Sequence, residues 1–298
     1  MPDFVVLADA EQLYLRLADE RQKQGHIAMA EFLRMYASVA SDNVAHLGLA
    51  GSQTRTAAPS LYLPTESRPF TAGAIDKGVR AVLFDMYMTL VDLRLPRLLH
   101  VVLADALNVH PDQTAAAYKH FAHQFLVGAV TPFDRMRGIA ELAGRPSISD
   151  NDIHRLMVME LETNIAATRL FPGVKATIAS YRRQGYLVGI VSNANPWGIE
   201  VARHHGLIDM VDVAGFSADP AIATQKPFPA IYESVCAGLG VSPSVCLFVD
   251  DGGRDFAIEG AQMLGMTTLR VDNPGVERYR PLVPLSHFHT SRIADLKL

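Results

Sequence analysis

"VRAVLFDMYMTLVD", residues 79–92, sets Asp85 at the end of an apolar run, with Thr89 and Leu90 just beyond it. Val79–Phe84 reads as a short strand, because β-prone apolar residues follow one another with little polar alternation. An aspartate at the end of such a strand has two readings. It can cap the turn that follows, or it can be a carboxylate held ready to attack an electrophile and form a covalent intermediate. Taken alone, this stretch leaves the two even.

Further strand candidates follow at Tyr186–Ser192, Val211–Phe216, Ser244–Val249 and Thr267–Val271, with helical stretches such as "VKATIASYRRQG" and "PAIYESVCAGLG" between them. Apolar strands with helical crossovers point to an α/β fold, a Rossmann-like parallel sheet covered on both faces. The first gap is different. Residues 93–169 read almost entirely as helices, an insertion over the carboxyl edge of the sheet, where open α/β folds bind their ligands. The expected organisation is therefore a core of residues 79–92 and 170–298 with an all-helical cap of residues 93–169.

Upstream, residues 1–50 read as an N-terminal helical hairpin. Ala10, Leu13, Tyr14, Leu17 and Ala18 share one apolar face, and Met29, Phe32, Leu33, Tyr36, Val39 and Ala40 share another. One hairpin cannot bury both stripes, so it is expected to dock on the core or to pair with a second copy as a homodimer. Residues 51–78, rich in Ser, Thr, Pro and Gly, read as a linker.

The 298 residues carry a formal net charge of -4, which offers no basic field to a nucleic acid. No apolar run approaches the ~18 residues of a membrane span, and "MPDFVVLADAEQ" has no basic leader of the signal-peptide kind. Cys236 and Cys246, the only cysteines, fall in a helix and a strand and read as buried thiols. The expectation is a cytoplasmic protein acting on a small molecule.

Three further motifs stand downstream of Asp85. "VGIVSNANP" ends a strand at Ser192 and Asn193, a hydroxyl and backbone amides suited to an anionic oxygen. "ATQKPFPAIYESV" places Lys226 before a proline and a helix. "CLFVDDGGRDFAIEGAQMLGM" sets Asp250, Asp251 and Asp255 after an apolar strand. Three carboxylates so close repel one another unless hydrogen bonds or a cation compensate. A hard divalent ion such as Mg²⁺ suits oxygen ligands of this kind.

In this order, and with a helical insertion in the first gap, residues 79–298 resemble the haloacid dehalogenase (HAD) superfamily with a helical cap. The resemblance implies that Asp85 is a nucleophile, that Ser192 and Asn193 hold an anionic substrate, and that Lys226 neutralises charge. It also implies a Mg²⁺ site made from Asp85, the Tyr87 carbonyl and Asp251, with Asp255 either holding a metal-bound water or orienting Lys226. Thr89, Arg94 and Arg97 are candidates for substrate contact. Phe133, Arg135 and Arg137 are further candidates on the cap, and Trp197 either touches substrate or packs in the core. His120 and His123 read as helix decoration, with lining of the substrate pocket as the alternative, and His204 and His205 read as cations at a helix end.

Tyr87 departs from the pattern, since most phosphatases of this superfamily carry a second aspartate there. A phenol with an ordinary pKa near ~10 is a poor general base at neutral pH, so Tyr87 is assigned as a pocket wall or hydrogen-bond donor. Three readings remain. The preferred one is a Mg²⁺-dependent phosphatase of a small phosphorylated metabolite, working through an aspartyl-phosphate. The second is a metal-independent 2-haloacid dehalogenase, whose halide departs without a proton and whose family members do carry a tyrosine at this place. The third is a non-enzymatic phosphate-binding or scaffold member.

Overall fold

The computed structural model describes residues 66–71, 78–95, 97–253, 255–276 and 286–296, with the single positions 15, 19 and 64. Positions 15 and 19 are helical. The rest of the expected hairpin, most of the linker and any pairing through them lie outside the described residues.

Seven strands form one parallel sheet. They are β1 (Arg68–Pro69), β2 (Ala81–Phe84), β5 (Leu187–Ser192), β6 (Val213–Phe216), β7 (Cys246–Asp250), β8 (Thr267–Val271) and β9 (Phe288–Thr290), in the order β1-β9-β8-β7-β2-β5-β6. Central β2 and β7 are buried at every residue, which is why their sequences run apolar without alternation. Phe84 is level with Ile190 on one side and Val249 on the other. That register brings Asp85, Ser192 and Asp250 out at one edge of the sheet.

Side chains leave the strands alternately to two apolar cores. Val82, Phe84, Val188, Ile190, Leu247 and Val249 face α5 (Val174–Arg183) and α6 (Pro196–His204). Ala81, Leu83, Val191 and Phe248 face α8 (Pro229–Leu239) and α9 (Ala257–Met263). A short α7 (Leu207–Met210) leads into β6. The close seating of α8 depends on Gly215, where a Cβ would lie 2.4 Å from Val235 Cγ2. The buried Val235 side chain it admits contributes about 1.5–3 kcal/mol.

The insertion is a bundle of α1 (Leu99–Leu107), α2 (Pro111–Leu126), α3 (Pro132–Leu142) and α4 (Asp150–Ala166) around Leu103, Leu107, Met136, Ile139 and Ile153. Each of α2 and α3 opens with proline at its first turn. Thr131 and Ser149 accept the backbone N–H groups of Asp134 and Asp152 through their hydroxyls, so the starts of α3 and α4 are written locally. The chain enters and leaves the bundle through an antiparallel pair, β3 (Val91–Leu93) and β4 (Thr168–Leu170).

Several expectations shift. The strand expected from Val79 begins at Ala81, and the one expected from Val211 begins at Val213. The strand expected from Ser244 begins at Cys246, because Pro243–Val245 winds into a 3-10 turn. Part of the segment read as linker belongs to the sheet: Arg68–Pro69 pairs with β9, and Phe70 meets Phe288 edge-on. Two- and three-residue strands carry no periodicity, so their pairing is a product of tertiary packing. Cys236 and Cys246 are free, buried thiols with sulfurs 3.7 Å apart. Among the described residues no helix is long and apolar enough to cross a membrane.

Candidate active site

At the carboxyl edge of the sheet, the backbone N–H of Asp85 donates to the Val249 carbonyl at 2.8 Å, which fixes where the aspartate leaves β2. Its carboxylate is buried. Oδ1 accepts from Lys226 Nζ at 2.6 Å and Oδ2 accepts from the Thr89 hydroxyl at 3.0 Å. The same ammonium lies 3.3 Å from Asp250 Oδ2 and 3.2 Å from Asp255 Oδ2, and it is 1 % exposed.

Lys226 is aimed by Asn193. The Asn193 Oδ1 accepts the Lys226 N–H at 2.6 Å, while Nδ2 donates to the Lys226 carbonyl at 3.2 Å and to Asp255 Oδ2 at 3.1 Å. The Asn193 amide thus holds the lysine segment in place. Ser192, one residue earlier, is buried with no hydrogen-bond partner for its hydroxyl among the described residues.

Asp85, Asp250 and Asp251 each present a carboxylate oxygen within 4.8 Å of the others, and they form the one acidic group of metal-holding geometry among the described residues. For Asp255 two places are expected, on a metal-bound water or on Lys226. Asp255 lies beside Lys226 and Asn193, while Asp250, which also faces Lys226, joins Asp85 and Asp251 in the acidic group. Sequence order does not show Asp250 in this group, because the turn after β7 decides where each carboxylate points.

Charge is out of balance here. Burial raises the carboxyls of Asp85, Asp250 and Asp251, Asp250 up to about 7, and mutual repulsion adds to it while Lys226 works the other way. Burial alone would lower the lysine, but Asp255, Asp85 and Asp250 outweigh it and hold the ammonium well above its ordinary value. One ammonium faces several carboxylates, and this donor set suits a hard divalent cation.

Residues 79–258 match the family model described as haloacid dehalogenase-like hydrolase. The chain belongs to the haloacid dehalogenase-like hydrolases. Among curated relatives, it is similar to (S)-2-haloacid dehalogenase 4A of Burkholderia cepacia, 32% identical over 117 residues, which cover 39% of this chain and 49% of that one. It is equally similar to a phosphatase of Mycobacterium tuberculosis, 32% identical over 113 residues, which cover 36% and 49%. The chain spans about half the length of the curated relatives it matches. In fold it resembles the 2-haloacid dehalogenase from Pseudomonas syringae, with a TM-score of 0.55 at 19% identity over 73% of this chain and 96% of that one.

The remaining candidates of this HAD-like hydrolase divide sharply. Arg94 is exposed and held by Asp92, which also binds Arg169 at the β3–β4 stalk. Arg97 pairs with Asp105 on the cap surface. Arg137 pairs with Asp150 and stacks on Phe133. In this structure each of these three cations therefore pairs with a carboxylate. The Thr89 hydroxyl donates to Asp85 Oδ2. His120 and His123 are exposed on α2, and His205 Nε2 lies 2.9 Å from the Thr168 hydroxyl.

Tyr87 packs beside the opening of α6, with its hydroxyl 3.3 Å from where a Cβ on Gly198 would sit. Burial, and then the neighbouring Asp85, push its phenol well above the ordinary tyrosine value. It is a still weaker acid here than in water. Trp197 lies at the seam between cap and core. Its Nε1 donates to Glu160 Oε2 at 2.8 Å, and Glu160 also accepts from Arg135 at 2.8 Å and from the Tyr118 hydroxyl. Sequence reading missed Glu160 altogether, since a glutamate inside a helix carries no motif.

Proposed function

We propose that this HAD-like hydrolase is a Mg²⁺-dependent phosphatase that acts on a small phosphorylated metabolite through an aspartyl-phosphate on Asp85. One observation carries the reading: the carboxylates of Asp85, Asp250 and Asp251 converge in a buried site that a single ammonium cannot neutralise. A metal-independent dehalogenase would have to bring an anionic haloacid into that field.

Asp85, Asp250 and Asp251 would hold the ion, with the Tyr87 carbonyl as a further ligand. Bound there, Mg²⁺ would supply the positive charge that phosphoryl oxygens need in the transition state. The chain's own groups do the rest. The Asp85 carboxylate forms a bond to phosphorus while the bond to the leaving oxygen breaks, and the leaving group departs with the electron pair. Lys226, bonded to Oδ1, orients the nucleophile and offsets its charge. The Ser192 hydroxyl, buried and unpartnered, is available to donate to a phosphoryl oxygen. Water then attacks the aspartyl-phosphate, releasing inorganic phosphate and restoring the carboxylate.

Tyr87 cannot readily protonate a departing alkoxide, so substrates whose leaving groups need no proton, such as acyl phosphates, fit best. The same tyrosine favours the second reading, a 2-haloacid dehalogenase, in keeping with the Burkholderia cepacia relative.

Phosphate release from a panel of phosphomonoesters and acyl phosphates, with Mg²⁺ and with EDTA, separates the two. Chloride release from 2-chloropropionate is measured in parallel, with Asp85→Asn as control. Mg²⁺-dependent phosphate release that disappears in the variant supports the phosphatase. Chloride release that persists in EDTA overturns it.

A further inference from the structure

We infer that Asn273, at the end of the segment leaving β8, is a positioning residue for the Asp85 carboxylate. The inference rests on the proposed role of Asp85 as nucleophile. Asn273 is 5 % exposed, and its side-chain amide is used from both ends. Nδ2 donates to two successive carbonyls, Met88 at 3.0 Å and Thr89 at 2.9 Å, and Oδ1 accepts the Ile293 N–H at 3.1 Å. A residue 184 positions away thus grips the turn that follows the nucleophile.

That turn needs gripping. Met88 has φ 62, a left-handed conformation that costs an ordinary L side chain free energy and persists only when its surroundings enforce it. The turn is closed on one side by the N–H groups of Leu90 and Val91 donating to the Met86 carbonyl at 2.8 Å. Asn273 closes it on the other. Thr89, whose carbonyl Asn273 holds, is the residue whose hydroxyl reaches Asp85 Oδ2 at 3.0 Å. Lys226 fixes one carboxylate oxygen and Thr89 the other, so the orientation of Asp85 depends on Asn273 through Thr89. Small misplacements of a reacting group cost rate steeply.

Asn273→Asp keeps the acceptor for Ile293 but turns the donor into an acceptor facing two carbonyls. On any substrate whose turnover depends on Asp85, this variant is expected to lower kcat by at least about tenfold with KM little changed. Thr89→Val should give a loss of similar size, and the double variant should be no worse than the poorer single one. Amide hydrogen exchange at Leu90 and Val91 should quicken in Asn273→Asp relative to the rest of the sheet. Asn273→Ala serves the same comparison should the aspartate prevent folding. Full kcat in the folded variant, losses that simply add, or unchanged exchange in the turn would each overturn the inference. If Asp85→Asn keeps activity, the nucleophile assignment fails separately, and the exchange measurement still decides whether Asn273 holds the turn.

Discussion

Lys226 Nζ lies 2.6 Å from Asp85 Oδ1, and it is the ammonium that Asp250 and Asp255 also face. Removing it leaves buried carboxylates facing one another with no counter-charge. Lys226→Met is therefore expected to cost about 3–5 kcal/mol of stability at neutral pH. The cost should shrink towards pH 5, as carboxyls protonate instead. Urea unfolding at the two pH values tests the first expectation. Steady-state assay tests a second, a fall in kcat of about 10²–10³-fold, the size seen when a preorganised charge-stabilising donor is lost.

The acidic cluster makes stability depend on pH in a definite direction. The Asp250 carboxyl rises from 3.8 to about 7 on folding, and Asp85 and Asp251 shift the same way. Across that window the unfolded chain has released protons that the folded chain still binds, so stability falls as pH rises from about 4 to about 7. Lys226 shifts upward as well, but its contribution is already complete below its ordinary value and adds no slope here. In EDTA, Tm should therefore be lower at pH 7.5 than at pH 5.5. Mg²⁺ should raise Tm more at pH 7.5 than at pH 5.5, because the ion binds the ionised carboxylates. Thermal unfolding at both pH values, with and without the ion, measures this; equal Mg²⁺ stabilisation at both would contradict a cation site in the cluster.

The parts of this site that were legible in the sequence share a cause. Asp85, Ser192, Lys226 and the aspartates after β7 each follow a short apolar strand or precede a helix, so local chemistry and topology place them together. What was not legible depends on which partner consumes which group. Nothing in the residues from 92 to 105 says that Asp92 and Asp105 take up Arg94 and Arg97. Nor does the spacing of Asp250, Asp251 and Asp255 reveal that Asp250 joins Asp85 and Asp251 in one acidic group while it also faces the lysine. Asn273 and Glu160 are further cases, because each works through contacts made only after distant segments have folded together.

Glu160 makes the cap–core seam testable. Its carboxylate and the Arg135 guanidinium are almost wholly buried, 3 % and 4 % exposed at the side chain, and Trp197 of α6 donates to it from the core. Glu160→Ala strands the arginine and is expected to destabilise the protein by about 3–5 kcal/mol. Trp197→Phe, which loses one hydrogen bond to a charged acceptor, should cost about 1.5–3 kcal/mol. Trp197 is the sole tryptophan, so its emission reports the seam directly. In Glu160→Ala it should shift to the red at denaturant concentrations where the far-UV circular dichroism is still native. Coincident transitions would show that the seam does not open ahead of the core.

Tyr87 offers the sharpest test of the chemistry. Its phenol is held above the ordinary tyrosine value by burial and by Asp85, which makes it a weaker proton donor than the missing carboxyl and a poor base towards water at neutral pH. Tyr87→Asp places a carboxyl two residues after Asp85, the proposed nucleophile. General acid–base catalysis contributes typically about 10²–10⁴-fold, so phosphomonoester hydrolysis should rise by at least tenfold in this variant if proton transfer is what the site lacks. Acyl phosphate hydrolysis, whose leaving carboxylate needs no proton, should change little. The comparison of the two substrate classes matters more than either rate alone, because a merely disrupted pocket would lower both. Chloride release from a 2-haloacid should not rise, since halide takes no proton and an added negative charge repels the substrate. A variant that gains nothing on phosphomonoesters would mean that the missing acid is not what limits turnover, and the phosphatase reading would lose its account of Tyr87.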